Sequence, residues 1–211
     1  MRVALATAPP KRQWPTVPKL APGGTVLCVA SGPSLTAEDV EYCRTRVDAA
    51  VVVNNGYQLA PWATALYAAD WLWWQWHRGA PSFHGLKYSL TRQAGCWPGV
   101  EVLRKTGDEG LETDPSGLRT GRNSGYQAMN LAVHLGASRI VLLGYDMQRG
   151  PKGESHWHGD HPNHVNSPFP IFTRKFETLV GPLSKRGITV VNCSRETALR
   201  AFPRMRLEDA L

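Results

Sequence analysis

The chain has 211 residues, of which 42% are hydrophobic and 19% are charged, a composition that is ordinary for a globular protein. No apolar run approaches the roughly 20 residues that a membrane span needs, and the apolar stretch at residues 3–8 is too short for a signal-peptide core. We therefore expect a cytoplasmic protein with no membrane span. The formal net charge of +7 suits a nucleic acid, an anionic surface or a phosphorylated small molecule, and charge alone does not choose among them.

Residues 1–22 contain five prolines and are predicted to form an extended arm that packs on the domain or on a second subunit. Residues 23–211 are predicted to form one domain. Continuous apolar runs of strand length predict buried strands at 25–30, 49–53 and 63–69. A helix is predicted to begin after Thr36, its cap, and another at 71–77 after Asp70. Shorter strand patterns follow at 86–90 and 100–103.

The second half continues the alternation. Residues 104–122 are polar and glycine-rich, which predicts a loop, and a helix at 125–135 follows with Ser124 as its cap and Gly136 as its stop. A strand is predicted at 139–143, a histidine-rich loop at 147–168, a helix at 169–186, a strand at 188–191 and a helix at 197–202. Strands that alternate with helices predict an α/β fold with a mostly parallel sheet and helices on both faces.

The turn at residues 31–35, with the sequence Ser-Gly-Pro-Ser-Leu, links the first strand to the first helix and is called the glycine turn below. Glycine lets a ligand approach the backbone, and the N–H groups and serine hydroxyls of such a turn can bind an anion. Acidic residues in the first turn of the following helix would repel an anion there, so we expect contact through Gly32 and Ser34, with Ser31 and Pro33 beside them. A tight turn with no ligand is the alternative.

Further polar residues follow the other predicted strands. Ligands of parallel sheets bind at the carboxyl ends of the strands, which makes these residues candidates for binding: Asn54, Asn55, Asp70, Tyr145 and Asp146. The two asparagines could hydrogen-bond a base, a ribose or a phosphate, or could form a turn with Gly56.

Three segments together resemble a known family. They are V-x-S-G-P-S-L at residues 29–35, V-V-N-N at 52–55, and S-G-Y-x-A-M-x-L-A-x-x-L-G-A-x-x-I-x-L-L-G-Y-D-M at 124–147. The chain resembles a Rossmann-like family of bacteria, archaea and phages that includes bacterial lipooligosaccharide sialyltransferases, flagellin-glycosylation accessory proteins and an archaeal hydroxymethylpterin pyrophosphokinase. The short chain and the proline-rich arm resemble phage members.

The resemblance implies a sialyltransferase-like fold and a cytidine-type nucleotide sugar as donor. It implies that the glycine turn and the asparagine after the second strand contact the nucleotide, and that Ser124 and Gly125 meet the phosphate or the sugar. It also implies a metal-independent reaction with a histidine base, for which the candidates are His161 and His158, with Asp146 as a further catalytic candidate. Pyrophosphokinase members imply the alternative in which Asp70 and Asp146 hold Mg²⁺.

The histidine-rich loop permits a second interpretation. Residues 156–161 read H-x-H-x-D-H, which resembles the metal-binding signature of the metallo-β-lactamase superfamily. The residues of this alternative zinc or iron site are His156, His158, Asp160 and His161. That fold needs further ligands downstream, where the chain offers His164 and a late Asp209, so we favour a histidine base and no metal.

Four functions therefore stay open. The first is a glycosyltransferase that uses a nucleotide-activated donor and requires no cofactor. The second is a Mg²⁺-dependent pyrophosphokinase or nucleotidyl enzyme, and the third is a non-catalytic nucleotide-binding phage assembly protein. The fourth, a nucleic-acid partner, rests on the net charge alone. The acceptor and a homo-oligomeric state are left open, because fold class does not decide them.

Overall fold

The computed structural model describes residues 13–159 and 167–211, and within these the chain forms nine strands and five α-helices. The strands are β1 (Thr25–Val29), β2 (Ala49–Val53), β3 (Ala65–Tyr67), β4 (Leu86–Ser89), β5 (Val100–Val102), β6 (Arg104–Gly107), β7 (Gly117–Arg119), β8 (Arg139–Leu143) and β9 (Thr189–Asn192). The helices are α1 (Ala37–Cys43), α2 (Trp71–Trp76), α3 (Ser124–Leu135), α4 (Phe169–Ser184) and α5 (Leu207–Ala210). Short 3₁₀ turns follow β2 at residues 54–58 and β4 at residues 92–96.

Seven of these strands form one sheet in the order β5-β4-β3-β2-β1-β8-β9, and every pairing in it is parallel. The predicted α/β fold is thereby confirmed, as a Rossmann-like sheet flanked by helices. The chain builds outward from β1 on one side and then returns to place β8 on its other side. Open α/β sheets bind ligands at such a reversal, outside the carboxyl ends of the strands.

Both faces of the sheet are buried. Val26 and Cys28 of β1 face a core cluster that includes residues of α3 and α4, whereas Leu27 and Val29 face a cluster with residues of α1 and α2. A strand covered on both sides is apolar at every position instead of at alternate positions. The continuous apolar runs of β1, β2 and β8 are the result of this two-sided burial.

Two sequence predictions of local structure are wrong. The predicted loop at 104–122 contains β6 and β7, which pair in parallel as a separate two-stranded sheet. The predicted helix at 197–202 is a loop, because the Thr197 hydroxyl donates to the Tyr145 carbonyl (2.7 Å) and accepts from the Leu199 amide (3.0 Å). Side-chain bonds of this kind satisfy the backbone in place of helical ones. The last helix is instead α5.

The helix ends follow the predicted chemistry with one correction. Thr36 caps α1 by accepting from the Asp39 amide (3.2 Å), and Gly136 ends α3 in the left-handed conformation, at φ 105°. The cap of α3 is Asn123 and not Ser124, because the helix begins one residue earlier than predicted and the Asn123 side chain accepts from the Tyr126 amide. Asp70 precedes α2 without a side-chain capping bond.

Residues 13–22 pack against the domain itself. Val17 and Ala21 are buried in the core cluster on the α3 side, and their amides donate to the carbonyls of Pro115 (3.0 Å) and Leu135 (2.8 Å). Residues 1–12 of the predicted arm lie outside the described residues. Among the helices that the structure describes, none combines the length and the apolarity that a bilayer span requires.

Candidate functional site

A cleft of about 210 Å³ opens at the carboxyl ends of the strands, where β1 and β8 lie side by side. Its walls come from the loops after β1, β2, β3 and β8 and from the starts of α3 and α4. Seven residues predicted from the sequence line it: Ser31, Gly32, Asn54, Asp70, Ser124, Gly125 and, from the alternative metal site, His156. The structure thus brings predicted residues from the β1, β2, β3 and α3 sides together in one cleft.

Two polar atoms in the cleft wall have no hydrogen-bond partner. Ser31 is 8% exposed and its Oγ makes no hydrogen bond, and the buried Oδ1 of Asn54 makes none either. A buried polar group left in this way costs about 1–3 kcal/mol. Other buried side-chain atoms among the described residues also lack partners, but these two are the ones that line the cleft. A ligand that hydrogen-bonds both atoms would recover that cost.

The amides of the glycine turn are used inside the protein, which differs from the expected contact with an anion. The Gly32 amide donates to the Gly144 carbonyl (2.8 Å), and the Ser34 amide donates to Oδ2 of Asp146 (2.7 Å). Pro33 has no N–H, and neither Pro33 nor Ser34 lines the cleft. The turn therefore offers a ligand the Ser31 hydroxyl and not a row of amides.

Asp146 lies behind this turn and not in the cleft. Its side chain is buried, with Oδ2 bound to the Ser34 amide and Oδ1 without a partner. Burial raises the pKa of Asp146 to about 6, and the nearby Glu196 carboxylate adds to the increase, whereas the hydrogen bonds from Ser34 oppose it. The contacts make Asp146 a support for the glycine turn.

Two further candidates also have internal roles. Tyr145 is buried and its hydroxyl donates to the Gly125 carbonyl (2.9 Å), which fixes the first turn of α3, and burial raises its pKa well above the ordinary value. Oδ1 of Asn55 accepts from the indole N–H of Trp73 (2.8 Å). Neither residue lines the cleft.

Backbone strain is concentrated around the cleft. Five described residues other than glycine have φ between 46° and 57°, and three of them line the cleft: Asn54, Arg122 and Met147. Such conformations cost on the order of 1–3 kcal/mol each and occur most often at binding and catalytic sites. The strain marks this cleft, rather than another part of the surface, as the candidate site.

The described part of the histidine-rich loop lies over the glycine turn. The Trp157 amide donates to the Ser31 carbonyl (3.1 Å), which holds the loop against the turn. His156 lines the cleft, and its ring stacks on that of His158, which does not, with the ring centres 5.3 Å apart. Asp160, His161 and His164 lie outside the described residues.

Within residues 13–159 and 167–211, no group of three or more histidine, cysteine, aspartate or glutamate side chains is placed to hold a metal ion. The predicted alternative metal site includes Asp160 and His161, so it stays a prediction. Of the two carboxylates predicted for Mg²⁺, Asp70 lines the cleft and is exposed, whereas Asp146 is buried behind the turn.

Several residues of the cleft were not foreseen from the sequence. Arg122 and Asn123 precede α3, Gln148 and Ser155 belong to the loop after β8, and Phe169 and Phe172 belong to α4. For Arg122 and Asn123, the available signal was their position just before a predicted helix. For Gln148 and Ser155, it was their position in the histidine-rich loop at 147–168. The aromatic residues add apolar surface to a cleft that is otherwise lined largely by polar residues and glycines.

A larger groove of about 470 Å³ lies elsewhere, beside Asp39 and three arginines. Those arginines are engaged within the protein. Arg195 pairs with Asp39 (2.6 and 2.8 Å), Arg206 pairs with Asp209 (2.8 and 2.9 Å), and Arg204 donates to the Arg195 carbonyl (2.8 Å). We favour the smaller cleft as the site because two of its polar atoms, Ser31 Oγ and Asn54 Oδ1, lack hydrogen-bond partners.

Comparison with protein-family models, with curated proteins and with solved structures gives no match to this chain. The family resemblance of the three sequence segments therefore stays an expectation, and the functional interpretation depends on the geometry of the cleft.

Proposed function

We propose that the cleft binds a nucleotide and that the protein is a glycosyltransferase that uses a nucleotide-activated sugar donor. One observation carries the proposal. Two unpartnered buried atoms, Ser31 Oγ and Asn54 Oδ1, share a cleft with the start of α3. A hydroxyl and an amide oxygen suit the hydroxyl and amino groups of a nucleoside, and a helix start suits a phosphate.

The electrostatics favour a phosphate at α3 over the start of α1. The first N–H groups of a helix have no acceptor within the helix and carry partial positive charge. The first turn of α3 contains no acidic residue, whereas that of α1 contains Glu38 and Asp39. The amides of Ser124 and Gly125 are therefore the better site for the phosphate. Ser31 and Asn54 would then hydrogen-bond the sugar or the base.

In the proposed reaction an acceptor hydroxyl attacks the anomeric carbon of the donor sugar. The new glycosidic bond forms as the bond from that carbon to the phosphate oxygen breaks, and the nucleotide leaves with the bonding electron pair. A general base takes the proton of the acceptor hydroxyl. His156 is the described histidine that lines the cleft, and His161, the base expected from the resemblance, stays a prediction.

The Mg²⁺-dependent alternative has less support from the geometry. It needs Asp70 and Asp146 to act on one ligand, yet only Asp70 lines the cleft. The buried Asp146 is already bound to the glycine turn through the Ser34 amide. A pyrophosphokinase and a non-catalytic nucleotide-binding protein therefore enter as outcomes of the test.

Thermal shift with CMP, CDP, UDP and ATP, each with Mg²⁺ and with EDTA, tests this function. We expect CMP to raise the melting temperature equally in Mg²⁺ and in EDTA. Ser31→Ala and Asn54→Gly should each weaken CMP binding by roughly 3- to 10-fold, the value of one hydrogen bond. Glycine at position 54 keeps the left-handed backbone conformation that Asn54 adopts.

Asn55→Ala is the matched control, because Asn55 does not line the cleft, and CMP affinity should be unchanged in it. A response only to ATP with Mg²⁺ would contradict the proposal in favour of a pyrophosphokinase or nucleotidyl enzyme. No response to any of the four nucleotides would contradict nucleotide binding altogether.

A further inference from the structure

Arg122 lines the cleft, and no other arginine or lysine among the described residues does so. It lies between β7 and α3, next to the cap Asn123 and the helix start at Ser124. Its side chain is exposed. An exposed cation and the positive end of a helix therefore lie side by side in one cleft.

The backbone around Arg122 is held by several contacts. The Gly121 amide donates to the Asp108 carbonyl (2.8 Å), and the Asn123 amide donates to the Thr120 carbonyl (3.1 Å). The Gln127 side chain also donates to the Thr120 carbonyl (2.7 Å), which ties the turn to α3. These contacts impose the left-handed conformation of Arg122, φ 57°.

The tight packing of Gly121 fixes the same turn from the other side. Its φ is 50°, and a Cβ at this position would overlap the ring of Tyr126. Arginine is an unfavourable residue for the left-handed conformation at the next position. The turn therefore places Arg122 beside the helix start at an energetic cost.

Arg122 is not held in an internal ion pair. The pKa of the nearby Asp108 carboxyl is lowered by a hydrogen bond from the Thr120 hydroxyl (2.5 Å) and by the charges of Lys105, Lys175 and Arg122. Its ion-pair partner is Lys105, with Nζ at 3.9 Å, and not Arg122. The ion pairs among the described residues do not include Arg122. This contrasts with Arg195 and Arg206 in the larger groove, whose guanidinium groups are bound to carboxylates.

We propose that Arg122 binds the phosphate of the nucleotide and stabilises the negative charge that develops on it as the sugar–phosphate bond breaks. The inference rests on the proposed function, because it takes a nucleotide as the ligand of the cleft. A planar guanidinium can donate two parallel hydrogen bonds to a phosphate, and charge stabilisation on the leaving group lowers the barrier to its departure. Arg122 thus makes the site specific for nucleotides over nucleosides.

The test compares the binding of CMP and of cytidine by calorimetry in the full chain. We expect Arg122→Gln to weaken CMP binding by about 10- to 100-fold, the value of a charge-assisted pair, and to leave cytidine binding unchanged. Arg122→Lys keeps the positive charge but loses the two parallel donors of the guanidinium, so its affinity for CMP should lie between those of wild type and Arg122→Gln. Arg92→Gln is the matched control, because Arg92 is exposed and does not line the cleft.

The outcomes separate this inference from the proposed function. If wild-type protein binds CMP and Arg122→Gln binds it equally well, the role of Arg122 is wrong and the proposed function stands. An equal loss of CMP and cytidine binding in Arg122→Gln also overturns the inference, since it indicates a distorted cleft. If wild-type protein binds neither CMP nor cytidine, the proposed function fails and takes the inference with it.

Discussion

Replacing Gly32 by alanine is expected to lower the melting temperature by roughly 5–15 °C and to abolish nucleotide binding. A Cβ at this position would overlap the Asp146 carboxyl and would lie 2.6 Å from the Gly144 carbonyl oxygen. That carbonyl already accepts from the Gly32 amide, so the new atom forces β1 and β8 apart at the cleft. Overpacking and a lost backbone bond cost about 2–4 kcal/mol, which in a domain of this size gives the stated shift.

Gly181→Ala is the matched control, because nothing lies within 4 Å of a Cβ at that position of α4. Alanine has the higher helix propensity, but Pro182 follows it and disfavours the helical conformation of a preceding residue that has a Cβ. The two effects oppose each other, so this variant should melt close to wild type. Thermal denaturation followed by circular dichroism measures both variants. A Gly32→Ala protein that melts with wild type would show that the turn is not packed on Asp146 and Gly144.

Asp146→Asn is expected to remove a pH dependence of stability between about pH 4 and pH 6. The folded protein raises the pKa of Asp146 to about 6 from an ordinary 3.8, mainly through burial. Its neutral form is therefore favoured in the fold, and the stabilisation is complete below pH 3.8 and is lost as the pH rises through 6. The shift corresponds to a loss of up to about 3 kcal/mol between these limits.

Urea denaturation of wild type and Asp146→Asn at a series of pH values isolates this effect. The asparagine cannot ionise, and its amide oxygen can still accept from the Ser34 amide. As the pH rises from 4 to 6, the unfolding free energy of wild type should therefore fall relative to that of Asp146→Asn. Asp209→Asn is the control. Arg206 binds the Asp209 carboxylate and holds its pKa below the ordinary value, so no change is expected from it above pH 5. A difference between wild type and Asp146→Asn that does not vary with pH would contradict the buried placement of this carboxyl.

The central strands could be predicted because burial on both faces requires apolar residues at consecutive positions. β2 is apolar at every position, and β1 and β8 are apolar at every position after their first residues, Thr25 and Arg139. Continuous apolar runs of this length are typical of strands that are covered on both faces. The strands β6 and β7 could not be predicted. They are three or four residues long, mostly half-exposed, and depend on pairing with each other across a polar connection. α5 has four residues, which is too short for a helical periodicity to appear.

The candidate site was predictable to the extent that parallel strands end at one edge of the sheet. Ser31, Asn54 and Asp70 line one cleft because each follows the end of a parallel strand. Successive residues after a strand point in different directions, and the sequence does not show which of them faces the cleft. Asp146 and Tyr145 accordingly face the protein interior. Arg122 could not be predicted, because its left-handed backbone depends on contacts with distant residues.

The most direct test of nucleotide binding in this cleft is a crystal structure of the full chain with CMP. We expect the phosphate to accept hydrogen bonds from the amides of Ser124 or Gly125 and the nucleoside to hydrogen-bond Ser31 Oγ and Asn54 Oδ1. CMP bound instead in the groove beside Arg195 and Arg204, with the two atoms near the glycine turn still without partners, would contradict the account.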